Sequence, residues 1–100
     1  MTVTREELAL LIDEADWSYL RAHLERGGLI LVDDSLGLVD TALKVAGDDA
    51  GAIEEWIKLG KIGKPSETQI QTWDNTGQKK FAMLIISPYV LIQERLPTFH

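Results

Sequence analysis

Apolar positions recur near every 3.6 residues through the first three quarters of the chain and become nearly continuous toward its carboxyl end. Thr4 followed by Glu7 has the form of a capping box, so a helix is expected to start there. Leu8, Leu11, Ile12 and Ala15 carry it on as one apolar face. Trp17, Leu20 and Leu24 form a second stripe. On a continuous helix turning about 100° per residue, that stripe would lie nearly opposite the first. The spacing therefore predicts a break at residues 15–17, with Asp16 as the N-cap of a second helix that Gly27 and Gly28 terminate.

Leu29-Ile30-Leu31-Val32 is too short for a helix and suits a buried strand, with Asp33, Asp34 and Ser35 turning the chain. Residues 36–46 fit two patterns. A helix would align Leu36, Val39, Leu43 and Ala46, and a strand would align Val39, Thr41, Leu43 and Val45. The helical reading is preferred by a narrow margin. Asp48 and Asp49 stand where a helix start favours carboxylates. Ile53, Trp56 and Ile57 supply the apolar face of that helix, and Gly60 closes it. Ser66 and Gln69 repeat the capping-box spacing, with Ile70 and Trp73 on the buried side of a helix ending over residues 74–77. Residues 81–86 and 89–92 are apolar on both faces, as central strands are, and Ser87-Pro88 marks a tight turn or bulge between them. The tail after Arg95 is expected to be loose. The pattern predicts a single α+β domain over residues 1–100, with helices packed on a small, mostly antiparallel sheet whose strands lie near 29–33, 80–86 and 89–94.

Composition narrows the function classes. The chain has 100 residues, 45% of them hydrophobic, and no cysteine, which removes thiol nucleophiles and thiolate metal sites. Its longest apolar run, residues 81–86, falls far short of the ~20 residues a membrane helix needs. The first residues lack a basic region and an apolar signal core, so a cytoplasmic protein is expected. The net charge of −6 opposes general nucleic-acid binding. That charge is polarised, because residues 1–57 hold 13 acids against 4 bases and residues 58–100 hold 3 against 6. Two ends of one domain attracting each other would explain this, and so would a docking surface.

Candidate chemistry is sparse. The histidines, His23 and His100, form no ligand pair and no nucleophile–base constellation, so no catalytic residue, metal site or cofactor is expected. Asp33, Asp34, Asp40, Asp48 and Asp49 would offer oxygen ligands to a hard cation if the fold gathered them, although adjacent aspartates more often cap turns and helices. Gly60-Lys61-Ile62-Gly63-Lys64 has the spacing of a weak phosphate loop, but its first glycine ends a helix instead of following a strand. Trp56 and Trp73 read as core. Trp17, on the displaced stripe with Leu20 and Leu24, reads equally as core or as a surface offered to a partner.

Asp16-Trp17, the segment 28–33 followed by Ser35-Leu36, Asp48-Asp49, Trp56, Gly60, Trp73 and the closing Ser87-Pro88-Tyr89-Val90-Leu91-Ile92-Gln93-Glu94 together resemble the uncharacterised bacterial family DUF2288. The resemblance spans about residues 6–95. It implies a small stand-alone bacterial protein of no established activity. The motif positions it carries over are Trp17, Asp33, Asp48, Asp49, Trp56, Gly60, Trp73, Pro88, Gln93 and Glu94. Gln93 and Glu94, polar residues ending an apolar strand, would either cap the sheet, which is preferred, or face a groove. The expected function is a non-enzymatic interaction or accessory module that self-associates, as a dimer, through Trp17, Leu20 and Leu24, with any further protein partner unknown. The alternative is a small-molecule or divalent-cation binding domain built on the acidic turn and helix-start residues.

Overall fold

The computed structural model describes residues 4–76, 79–86 and 88–94; the expected loose tail, Gly77 and Ser87 lie outside them. The elements run α1 (Arg5–Leu10), β1 (Asp13–Asp16), α2 (Trp17–Glu25), β2 (Leu29–Val32), α3 (Leu38–Ala46), α4 (Ala50–Lys58), β3 (Ile62–Gly63), α5 (Glu67–Thr76), β4 (Lys80–Ile86) and β5 (Tyr89–Glu94). The strands form one sheet in the order β1-β4-β5-β2-β3, antiparallel except for the parallel pair β2–β5. The α+β class holds, and the three expected strands are present with β1 and β3 added at the two edges.

The strands that read as apolar on both faces are covered on both. On one face Phe81, Met83, Val90, Ile92 and Leu29 pack with Trp17, Leu20 and Trp73, which come from α2 and α5. On the other, Leu84, Leu91 and Val32 pack with Leu8, Leu38 and Ala42, which come from α1 and α3. The alternation within β4 and β5 sends successive side chains to opposite layers. Thr41, fully buried in α3, donates its hydroxyl to the Gly37 carbonyl at 3.0 Å, so it enters the core with its polar atom bonded.

Local signals place most helix ends. Thr4 Oγ1 accepts from the Glu7 amide at 3.2 Å. Ser66 and Gln69 close a reciprocal capping box, with Ser66 N–H donating to Gln69 Oε1 at 2.9 Å and Gln69 N–H to Ser66 Oγ at 3.1 Å. Residues 38–46 are helical, as preferred. Gly60, at φ +74°, ends α4 in a Schellman pattern, in which the Lys61 amide donates to the Trp56 carbonyl and the Gly60 amide to that of Ile57.

One expectation is overturned. The first helix stops at Leu10 and does not reach Ala15, because residues 13–16 pair with residues 80–83 of β4 as an edge strand. Ala15 is buried as a strand residue, while Leu11 and Ile12 are exposed. Sheet pairing outweighs the helical spacing of four apolar residues. The break at residues 15–17 is real, and Asp16 is the N-cap of α2, but its carboxylate pairs with Lys80 and makes no capping hydrogen bond.

Candidate functional site

The stripe expected to meet a partner points inward. Trp17 is 1% exposed, Leu20 is 0% exposed and Leu24 is half-buried against the same cluster. The Trp17 ring meets Trp73 edge-on at 4.9 Å and Phe81 at 5.9 Å, and its Nε1–H donates to Asp74 Oδ1 at 2.7 Å. Arg21 joins the same carboxylate through Nε at 2.9 Å and Nη2 at 3.2 Å, tying α2 to α5. These bonds, Arg21 first and Trp17 second, hold the Asp74 carboxyl below its ordinary range. In this chain the stripe is core, so it is no free docking face.

The candidate carboxylates do not converge. Asp40 pairs with Arg5 beside α1. Asp49 caps α4, accepting from the Ala52 amide at 3.2 Å and lying 3.3 Å from Lys44 Nζ, and these partners, the Ala52 amide first, hold its pKa below the ordinary carboxylate value. Asp33 accepts from the Ser35 amide at 2.9 Å and hydroxyl at 2.6 Å, with Lys61 Nζ at 3.7 Å; Ser35 is the main reason its carboxyl is held low. Among the described residues, no three histidine or carboxylate side chains are grouped to hold a metal ion.

Two clefts remain. A polar one of about 290 Å³ lies beyond the carboxyl ends of the parallel pair β2–β5, bordered by Asp33, Asp34, Lys61, Lys64, Gln69 and Glu94. Several of its groups are already engaged. Lys61 Nζ donates to Ser35 Oγ at 3.0 Å, and Glu94 lies 3.3 Å from Lys79. Gln93 caps the turn after β2, donating to the Asp33 carbonyl at 2.9 Å and the Leu36 carbonyl at 2.7 Å. The Gly60–Lys64 segment ends a helix and supplies Ile62 and Gly63 to the sheet edge, so it has no phosphate-loop form.

The second cleft is an apolar groove of about 440 Å³ between α4 and the β2–β3 side of the sheet. Ile30, Val45, Ile53 and Ile62 line it, with Ile57 and Tyr89 at its rim. Helix α4 is amphipathic, yet none of its nine residues is fully buried. Trp56, read as core, is half-buried, and Ile57 remains 55% exposed. Asp48, at φ +56°, makes the sharp turn from α3 that sets α4 at this angle. Sequence reasoning placed Ile53 and Ile57 on one apolar face but missed the gap beneath them. The one available signal was Ala50-Gly51-Ala52, which brings little bulk to the start of α4.

Pro88 and Tyr89 complete the site's surroundings at the start of β5. Pro88 borders a smaller cleft of about 240 Å³ with His23, Arg26 and Ile85 on the opposite face of the sheet. Ile85 and Tyr89 are 45% and 42% exposed, so apolar surface continues around this end of the sheet.

The fold and these clefts define a small α+β domain whose sheet is covered by helices on both faces and which carries an apolar surface groove. The chain belongs to DUF2288, described as a protein of unknown function, whose family model matches residues 3–94. A solved relative in structure is PA1075 from Pseudomonas aeruginosa, determined by NMR in solution; it is 29% identical, with a TM-score of 0.77 over 93% of this chain and 87% of that one. No curated protein matches the chain. Among the described residues no helix is long and apolar enough to cross a membrane.

Proposed function

We propose that this protein is a non-enzymatic interaction module that self-associates, and that its contact surface is the groove under α4. One observation carries the reading: an amphipathic helix buries none of its nine residues fully and leaves Ile57 55% exposed beside an apolar opening. A helix normally covers its apolar stripe against its own core, and apolar surface left open at a concave site marks a place where another molecule packs. The half-exposed rim favours an occupant that extends beyond the groove over a compound enclosed within it.

Sedimentation velocity of the wild type and of Ile57→Asp tests the reading. Concentration-dependent association of the wild type, lost in the variant at unchanged far-ultraviolet circular dichroism, supports it. A wild type that sediments as a monomer up to its solubility limit refutes it. The groove's volume also lies in the range of small-molecule sites, which supports a second reading as a small-ligand binding domain. For that reading, native mass spectrometry would show a monomer with added mass.

A further inference from the structure

The groove carries charge of opposite sign on its two sides. Asp48 and Glu54 stand on the α4 side and Lys64 on the β3 side. Among the described residues none of these three side chains has a hydrogen-bond or ion-pair partner. Elsewhere Lys44, Lys61, Lys79 and Lys80 pair with carboxylates, while Lys58, at the end of α4 and outside the groove lining, has no such partner among the described residues. An occupant of one sign would therefore meet attraction on one side and repulsion on the other. A surface with acid on one side, base on the other and an apolar floor between is complementary to itself when rotated by a half turn.

Resting on the self-association reading, we propose that the groove is a two-fold interface with a second copy of this chain, in which Glu54 of each copy faces Lys64 of the partner subunit. The half turn sets the exposed α4 rim of each copy, with Ile57, against the apolar groove of the other. It also places the acidic α4 side of each copy against the basic β3 side of the other. Both charge pairs form at the edge of the apolar contact, where partial removal of water strengthens them.

Charge reversal tests the arrangement, measured by sedimentation equilibrium at low salt on Glu54→Lys, on Lys64→Glu and on an equimolar mixture of the two. Each variant alone should raise the dimer dissociation constant about tenfold or more, because symmetry converts two attractive pairs to repulsive ones at once. The mixture should recover association to within a few-fold of wild type, since each reversed residue then faces an opposite charge in the other variant. Thermal unfolding of each variant reports that the fold is intact. Wild-type association of the single variants, or a mixture that stays dissociated, overturns the proposal. Dimers that Ile57→Asp abolishes but charge reversal leaves untouched would remove the pairing and keep the groove as the contact surface. A monomeric wild type, bare or carrying a bound compound, would remove both.

Discussion

Leu20→Ala separates a core role from a surface role for the α2 stripe. Leu20 is 0% exposed and packs in the cluster that holds Trp17, Trp73 and Phe81. Truncation removes three carbon groups, which at ~0.8 kcal/mol per methylene loses about 2.4 kcal/mol of transfer energy. The interlocked rings around the site, Trp73 edge-on to Phe81 at 4.8 Å among them, resist collapse into the space left behind. Each 50 Å³ left empty adds about 1.2 kcal/mol at ~24 cal/mol per Å³. The expected loss is therefore about 3.5 kcal/mol, a large share of the 5–15 kcal/mol available to a domain, with a fall of roughly 15–25 °C in Tm. Urea unfolding followed by circular dichroism, with the m-value as a check on two-state behaviour, reads the loss directly. A loss below about 1 kcal/mol accompanied by a changed assembly state would refute this reasoning and return the stripe to the surface.

Three further expectations follow from geometry. Asp74 has its folded pKa held below the unfolded value by Arg21 and Trp17, so its stabilising contribution is full above the unfolded pKa and is lost as pH falls through the folded one. The stability gap between wild type and Asp74→Asn, measured by urea unfolding, should accordingly close as pH falls below about 4, and a gap independent of pH would contradict the assignment. Ser66→Ala removes half of the α5 capping box and should cost about 1 kcal/mol in chemical denaturation, with Ser66→Thr retaining most of it. Gly28→Ala would place a Cβ 2.7 Å from the Pro88 carbonyl oxygen, where β2 and β5 begin their pairing, and should lower stability by about 1–3 kcal/mol in a thermal melt.

Local chemistry made the cap at Thr4, the capping box at Ser66, the helix stop at Gly60 and the two-sided strands 81–86 and 89–92 legible in the sequence. Each depends on residues within a few positions of one another. The edge strands were not legible, because Asp13-Glu14-Ala15-Asp16 has weak strand propensity and Ile62-Gly63 is two residues long; both become strands through partners far along the chain. Periodicity grouped Trp17, Leu20 and Leu24 on one face but could not say what that face meets. It turned toward β4 and β5, while the unfilled surface appeared on α4. Gln93 shows the same division, since a polar residue at a strand end is visible in the sequence and its hold on the carbonyls of Asp33 and Leu36 is not. The groove depends on how far α4 stands from the sheet, a distance encoded by packing and by the turn at Asp48.

Strand β5 lies between β4 and β2, and it alone joins the β1–β4 half of the sheet to the β2–β3 half. Among the described strands it is also the last in order of synthesis. While a ribosome is still translating, Leu29-Ile30-Leu31-Val32 waits with its inner edge unpaired, some sixty residues ahead of Val90, Leu91 and Ile92. The nascent chain thus displays a sticky hydrophobic segment until residues 89–94 have been made. Chaperone demand should concentrate in that interval, and a ribosome stalled before codon 90 should release a polypeptide prone to aggregate.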